Sequence, residues 1–246
     1  MKKNIIYGIH PVMEAIKAEK SIDKLFIQKG LKGYLSSELI NLLQERNVGY
    51  KIVPVEKLNR LTKENHQGVV GFISPVKFQN LEFALEKRNP DIPVVFILLD
   101  GITDPRNFGA IIRTAVATSV SGIIIPENNS APINEDTIKT SAGGVFKVPF
   151  YKVKHLKDAI YLLDSYGIKI VAATEKTNRL VYDINLTESF ALLMGSEGKG
   201  IHPALLKIAG EKVKIPMSEN IDSLNVSVAC GVILYESIRQ KIKKNE

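Results

Sequence analysis

The chain has 246 residues, enough for one large domain or two modest ones with a core that needs no disulfide or metal staple. Lys and Arg number 33 against 26 Asp and Glu, a net charge of +7 that points to an anionic partner. With one cysteine, Cys230, no disulfide can form within the chain. That count, with no apolar run near the roughly 20 residues of a bilayer span, predicts a soluble cytoplasmic protein. The four histidines (His10, His66, His155 and His202) lack metal-ligand spacing, so no metal is expected.

In chain order, "HPVMEAIKA" predicts a helix with Pro11 in its first turn, and "KLFIQK" a short strand. "SSELINLLQERNVG" sets Leu39, Leu42 and Leu43 on one helical face and ends at Gly49, and "YKIVPV" reads as a strand. A short helix near "EKLNRL" and the apolar strand "GVVGFIS" complete a small α/β domain over residues 1–75. Residues 76–92, with a polar helix between prolines 75 and 93, read as a linker.

From residue 93 the alternation tightens. "VVFILLD", "GIIIPE", "VPFYKV", "KIVAAT", "FALLMG" and "EKVKIPM" read as strands. They alternate with helices in "NFGAIIRTAVATS", "NEDTIKTSA", "LKDAIYLLDSYG" and "HPALLKIA", before a last helix in "NVSVACGVILYE". Strands apolar throughout and separated by helices predict a parallel sheet covered on both faces, over residues 93–246. In the last helix, Val228, Val232, Tyr235, Ile238 and Ile242 share one face and are expected to be buried.

Ligands in such sheets sit beyond the carboxyl ends of strands, which singles out three loops. In "DGITDPRNFGAIIRTA", Ile111, Ile112, Ala115 and Val116 centre on one helical face and Arg113 points about 130° away from it, clear of the core. Asn107 reads equally well as that helix's N-cap. "GSEGKGI" fits neither the dinucleotide nor the Walker phosphate signature, but glycines 195, 198 and 200 allow close backbone approach beside Glu197. In "SLNVS", Ser223, Asn225 and Ser227 crowd an otherwise apolar helix entrance; one cap would suffice, so some of these groups are expected to face a ligand.

Taken together, "DPRNFGAIIRTA", "LLMGSEGKGI" and "IPMSENIDSLNVSVACGVILYE" closely resemble the three signature motifs of the SpoU (TrmH) branch of the SPOUT RNA methyltransferases. "YGIHPVMEAI" and "HQGVVGFIS" resemble the ribosomal-protein-like substrate-binding domain of the bacterial 23S rRNA guanosine 2′-O-methyltransferases in that family. The resemblance implies methyl transfer from S-adenosylmethionine to a ribose 2′-hydroxyl, a C-terminal trefoil knot and a homodimer, so that the last helix from Val228 onward would pack into its own domain or against the dimer partner. It implies a reaction centre of Asn107, Arg113, Glu197, Ser223 and Asn225. Gly195, Ile215 and Leu224 would hold the adenosine part, with Met194, Met217, Ser227 and Thr174 nearby. The family's proposed base matches Arg113, yet free guanidinium groups keep their proton to above about pH 12. A charged arginine that grips phosphate and polarises the hydroxyl is the less costly role. His10, Lys29, Lys32 and His66 are candidate RNA contacts. Two alternatives stay open: a tRNA ribose methyltransferase, or a non-catalytic RNA-binding ribosome-assembly protein.

Overall fold

The computed structural model describes residues 5–218 and 223–244. It divides into two compact units between Lys77 and Phe78.

The first unit runs β1 (Ile5–Tyr7), α1 (Ile9–Lys17), β2 (Ile22–Gln28), α2 (Tyr34–Glu45), β3 (Lys51–Val53), α3 (Val55–Leu61) and β4 (Val69–Ile73). Its four strands lie in the order β1-β4-β2-β3, with β4 antiparallel to both neighbours and β3 parallel to β2. The two-residue period of β2 sends Leu25 and Ile27 to one face and Phe26 to the other. The first pair packs with Val12, Met13 and Ile16 of α1 and Leu39 and Leu43 of α2. Phe26 packs with Val53, Leu58 and Val70. Helix α2 stops earlier than its sequence predicts: Arg46 is the C-cap and Asn47, at φ 51°, takes the left-handed turn expected of Gly49.

The second unit holds β5 (Phe78–Gln79), α4 (Leu81–Glu86), β6 (Val95–Asp100), α5 (Pro105–Ala117), β7 (Gly122–Pro126), α6 (Glu135–Thr140), β8 (Phe150–Val153), α7 (Leu156–Ser165), β9 (Lys169–Ala173), β10 (Phe190–Gly195), α8 (Pro203–Ile208), β11 (Glu211–Val213) and α9 (Val226–Lys244). All seven strands are parallel, in the order β11-β9-β10-β6-β7-β8-β5. The expected linker is therefore not a free tether. Its Phe78 and Gln79 add an edge strand beside β8, and Leu81 and Leu85 enter the core with Ile160 and Leu163. Leucines at i and i+4 give α4 a buried face among its charged residues.

Helix α5 packs on α6 and α9 on the opposite face of the sheet, and Phe108 meets Phe150 edge-on with centroids 6.0 Å apart. The buried residues of α9 are Val226, Cys230, Ile233, Leu234, Glu236 and Ser237, not the face the sequence predicts. Val228, Tyr235 and Ile242 are more than half exposed, and Val232 and Ile238 are only partly covered. The reason is a polar anchor: the Ser237 hydroxyl donates to the Leu186 carbonyl and the Gln240 amide to that of Ile184, turning this side inward. Hydrogen bonds from Arg239 and Gln240 hold the Glu236 carboxyl below the usual carboxylate range. That stabilisation is present at neutral pH and lost as pH falls through the lowered value.

Leu39 and Cys230 are fully buried in different units. Burial pushes the Cys230 thiol up to about 12. Leu39→Ala is expected to destabilise the first unit by about 2–5 kcal/mol. Native Cys230 is expected to resist alkylation at pH 8 in both proteins, and rapid labelling of the variant would show that the units do not unfold separately.

Candidate active site

Three segments follow the carboxyl ends of β6, β10 and β11, of which β6 and β10 are neighbours and β11 is separated from β10 by β9. Strands β6 and β10 pair in register from Val95↔Phe190 to Asp100↔Gly195, so the loops after them emerge at one level. The Asp100 carboxylate accepts the His202 backbone N–H at 2.7 Å, clasping the two loops together.

In the first loop Asp104, not Asn107, is the N-cap of α5, accepting from the backbone N–H groups of Arg106 and Asn107. The helix starts at Pro105, two residues earlier than expected, because proline suits the first turn. Capping by Asp104 releases the Asn107 side chain for another partner.

The second loop closes tightly. Ser196 and Gly200 form an antiparallel bridge, with the Gly200 N–H donating to the Ser196 carbonyl at 2.9 Å. The returning backbone passes so close that a Cβ on Gly195 would lie 2.1 Å from the Gly200 carbonyl carbon. Gly198 and Gly200, at φ 82° and 65°, take the left-handed conformations this reversal requires.

In the third segment Asn225 joins all three. Its Nδ2 donates to Asn107 Oδ1 at 2.9 Å and to Glu197 Oε1 at 2.7 Å. Its Oδ1 accepts the Ser227 backbone N–H at 3.0 Å and the Ser227 hydroxyl at 2.6 Å, capping α9. One carboxamide therefore does two jobs: the acceptor ends the helix and the donor gathers two distant loops.

Beside this hub lies a cavity of about 730 Å³, within the roughly 300–1,000 Å³ of small-ligand clefts. Of the predicted residues, Gly195, Ile215, Leu224, Met194, Met217 and Thr174 line it, together with Glu197, Ser223 and Asn225. Asn107 reaches it through Asn225. Ser227 does not line it; its hydroxyl is spent on Asn225. Arg113 is exposed on α5, about 9 Å further along the helix axis than Asn107, and among the described residues no hydrogen bond or ion pair ties it to the cavity. Its expected direction away from the core holds, and among the described residues no hydrogen bond or ion pair joins it to Asn107 or Glu197. Sequence reasoning missed the Asp100 clasp and the lining lysines Lys176, Lys199 and Lys214. The position of Asp100 as the last residue of an apolar strand was the available signal for the clasp.

Apolar Met194, Met217, Val213 and Leu224 with the open backbone of residues 195–200 offer a cradle for a flat ring, while lysines at the rim offer charge to a carboxylate. S-adenosylmethionine has both features, and the cavity fits it. Among the described residues no group of three or more His, Cys, Asp or Glu could hold a metal ion, and no helix is long and apolar enough to cross a membrane. Gly195→Ala is expected to force the second loop outward at a cost of about 1–3 kcal/mol. The melting temperature should fall by about 2–4 °C for each kcal/mol, and an unchanged melting curve would show that the loop yields freely.

Residues 94–235 match the SpoU rRNA Methylase family, and residues 5–79 match the family of RNA 2'-O ribose methyltransferase substrate-binding domains. The 23S rRNA (guanosine-2'-O-)-methyltransferase RlmB of Neisseria meningitidis serogroup B is 37% identical over 98% of this chain and 97% of its own. A putative TrmH family tRNA/rRNA methyltransferase of Staphylococcus aureus is 34% identical over 98% of each. The AdoMet-bound rRNA methyltransferase of Sinorhizobium meliloti superposes with a TM-score of 0.61 at 26% identity, over 96% of this chain and 86% of that one. With family matches to both units and near full-length relatives, the chain belongs to the SpoU family of RNA 2′-O-ribose methyltransferases, which use S-adenosylmethionine.

Proposed function

We propose that the protein methylates the ribose 2′-hydroxyl of a guanosine in 23S rRNA. The observation that carries the reading is the Asn225 carboxamide, which draws the three loops together against a cavity of the right size and lining. The near full-length likeness to a 23S rRNA guanosine methyltransferase favours rRNA over tRNA, and the first unit gives such a substrate a separate binding surface. The net charge of +7 suits contacts dominated by phosphate, which weaken steeply with salt.

Bound S-adenosylmethionine supplies an electrophilic methyl group. The adenosine part would rest on the backbone of Gly195, Ile215 and Leu224, between Met194 and Met217, with Thr174 alongside. Ser227 would support that wall through Asn225. The chain must then align the ribose oxygen for in-line attack and relieve it of its proton. Asn225 fixes Asn107 and Glu197 relative to each other, and Ser223 shapes the cavity beside them. Arg113 stays charged, grips the target phosphate and polarises the hydroxyl, and the proton leaves to water.

Two further features belong to this reading. Val228, Tyr235 and Ile242 leave an apolar face of α9 uncovered in the single chain, which fits a homodimer that brings Arg113 to a complete reaction centre. A monomeric mass by light scattering would remove the dimer. A C-terminal trefoil knot, an exception to the general avoidance of threaded connections, goes with membership of this family. The single buried cysteine and an rRNA substrate fit work in the cytoplasm.

Arg113→Ala is expected to abolish methyl transfer while S-adenosylmethionine still binds by calorimetry; near-normal turnover would take Arg113 out of the mechanism. Ribose-methylation mapping in a deletion strain is expected to lose one 23S rRNA guanosine. Loss at a tRNA position alone would overturn the rRNA assignment.

A further inference from the structure

The first unit has a cleft of its own, about 630 Å³, at the entry to β4. It is lined by Gln28, Asn59, Lys63, Asn65, His66 and Gln67, among others. The candidate RNA contacts His10, Lys29 and Lys32 are exposed, whereas His66 is partly covered and structurally committed. Its Nδ1 accepts the Gly68 backbone N–H at 3.0 Å, so its Nε2 carries the proton and donates to Asn59 Oδ1 at 2.9 Å. The wall is pinned from the other side as well. Gln67 Oε1 accepts the Ile9 backbone N–H, and the Gln28 backbone N–H donates to the Gly68 carbonyl at 2.8 Å.

This bracing leaves a specific set of polar groups over. Among the described residues no hydrogen bond engages the carboxamides of Gln28 and Asn65, Nδ2 of Asn59 or Nε2 of Gln67. Gln67, at φ 48°, is held in the left-handed region where a residue with a side chain is uncommon, a conformation that persists only where its surroundings enforce it. Carboxamides present a donor and an acceptor side by side, the pattern that complements a nucleobase edge. Lys63 is balanced by Glu64 on the same wall, so the cleft is no mere anion trap. Sequence-specific contacts to RNA are made chiefly with unpaired bases, whose edges are open.

We propose that this cleft seats one unpaired nucleotide of the substrate RNA. Gln28, Asn59, Asn65 and Gln67 read the base edge, and Lys63 and the neighbouring Lys29 meet its phosphates. The inference rests on the reading that the chain methylates RNA, and assigns the recognition of that RNA to a named set of residues. His66 is a positioning residue that aims Asn59.

Gln28→Met with Asn65→Ala is the informative double variant, since neither side chain holds a hydrogen bond among the described residues; an unchanged melting curve confirms it. The full-length protein is assayed with labelled S-adenosylmethionine on unmodified transcripts of 23S rRNA and of tRNA, alongside filter binding of the same transcripts. The expected result is a rise of about 10-fold in KM for the methylated RNA, with kcat and the Kd for S-adenosylmethionine unchanged, matching the loss of one good base contact. An unchanged KM overturns the cleft while leaving the methyltransferase reading intact. If the wild type methylates neither transcript, that reading falls and filter binding decides the cleft: about 10-fold weaker binding by the variant upholds it, and equal binding overturns it.

Discussion

The hydrogen bonds of the Asn225 side chain are the constraint on which the site depends. The amide nitrogen has two protons, one directed to Asn107 and the other to Glu197, while the carbonyl oxygen caps the helix that follows. A carboxylate could cap the helix but could not donate, and a hydroxyl has one proton for two acceptors. An asparagine is the small side chain that satisfies all three demands. The loops themselves begin about 30 and 120 residues earlier in the chain, so local propensity cannot hold them in place.

The sheet supplies what that side chain cannot. Central parallel strands β6 and β10 are buried on both faces, and their register delivers two loops to the same height. Tight reversal at residues 196–200 then clears the space that becomes the cavity. Rigid strands and a short, over-determined loop make a site whose parts need little reorganisation, the condition under which oriented polar groups are most effective. The first unit is built on a different plan, with an antiparallel pair at its centre and two small clusters of core residues.

Much of this was legible in the sequence, for identifiable reasons. Uninterrupted apolar runs such as "VFILL" and "FALLM" have no plausible home but the middle of a parallel sheet, and the residues following them are where the cavity lies. The two-residue β5 and three-residue β1 are too short to leave a period, and α4 hides two core leucines among charges. Within the single chain the buried face of α9 differs from the most apolar one, because hydrophobicity alone ranks Tyr235 and Ile242 above Ser237. Ser237 goes inward because a carbonyl waits for it, a partner 51 residues away that no local pattern reveals. From sequence Asn107 reads as a cap on equal terms with function because its competitor, Asp104, sits only three residues before it.

The pairing of Asp100 with Gly195 carries a consequence beyond the site's chemistry. From Val95 and Phe190 onward the two strands are matched residue for residue until their loops depart. Each strand thus works as a ruler. One residue inserted into either would turn every side chain beyond it to the opposite face and advance that loop by about 3.3 Å relative to its neighbour. The Asp100 carboxylate would then miss the His202 N–H, and the amide of Asn225 would have to span acceptors set one step apart. Changes of length are harmless to this geometry only in segments that lie outside the matched stretch, where the chain has no counterpart to keep pace with.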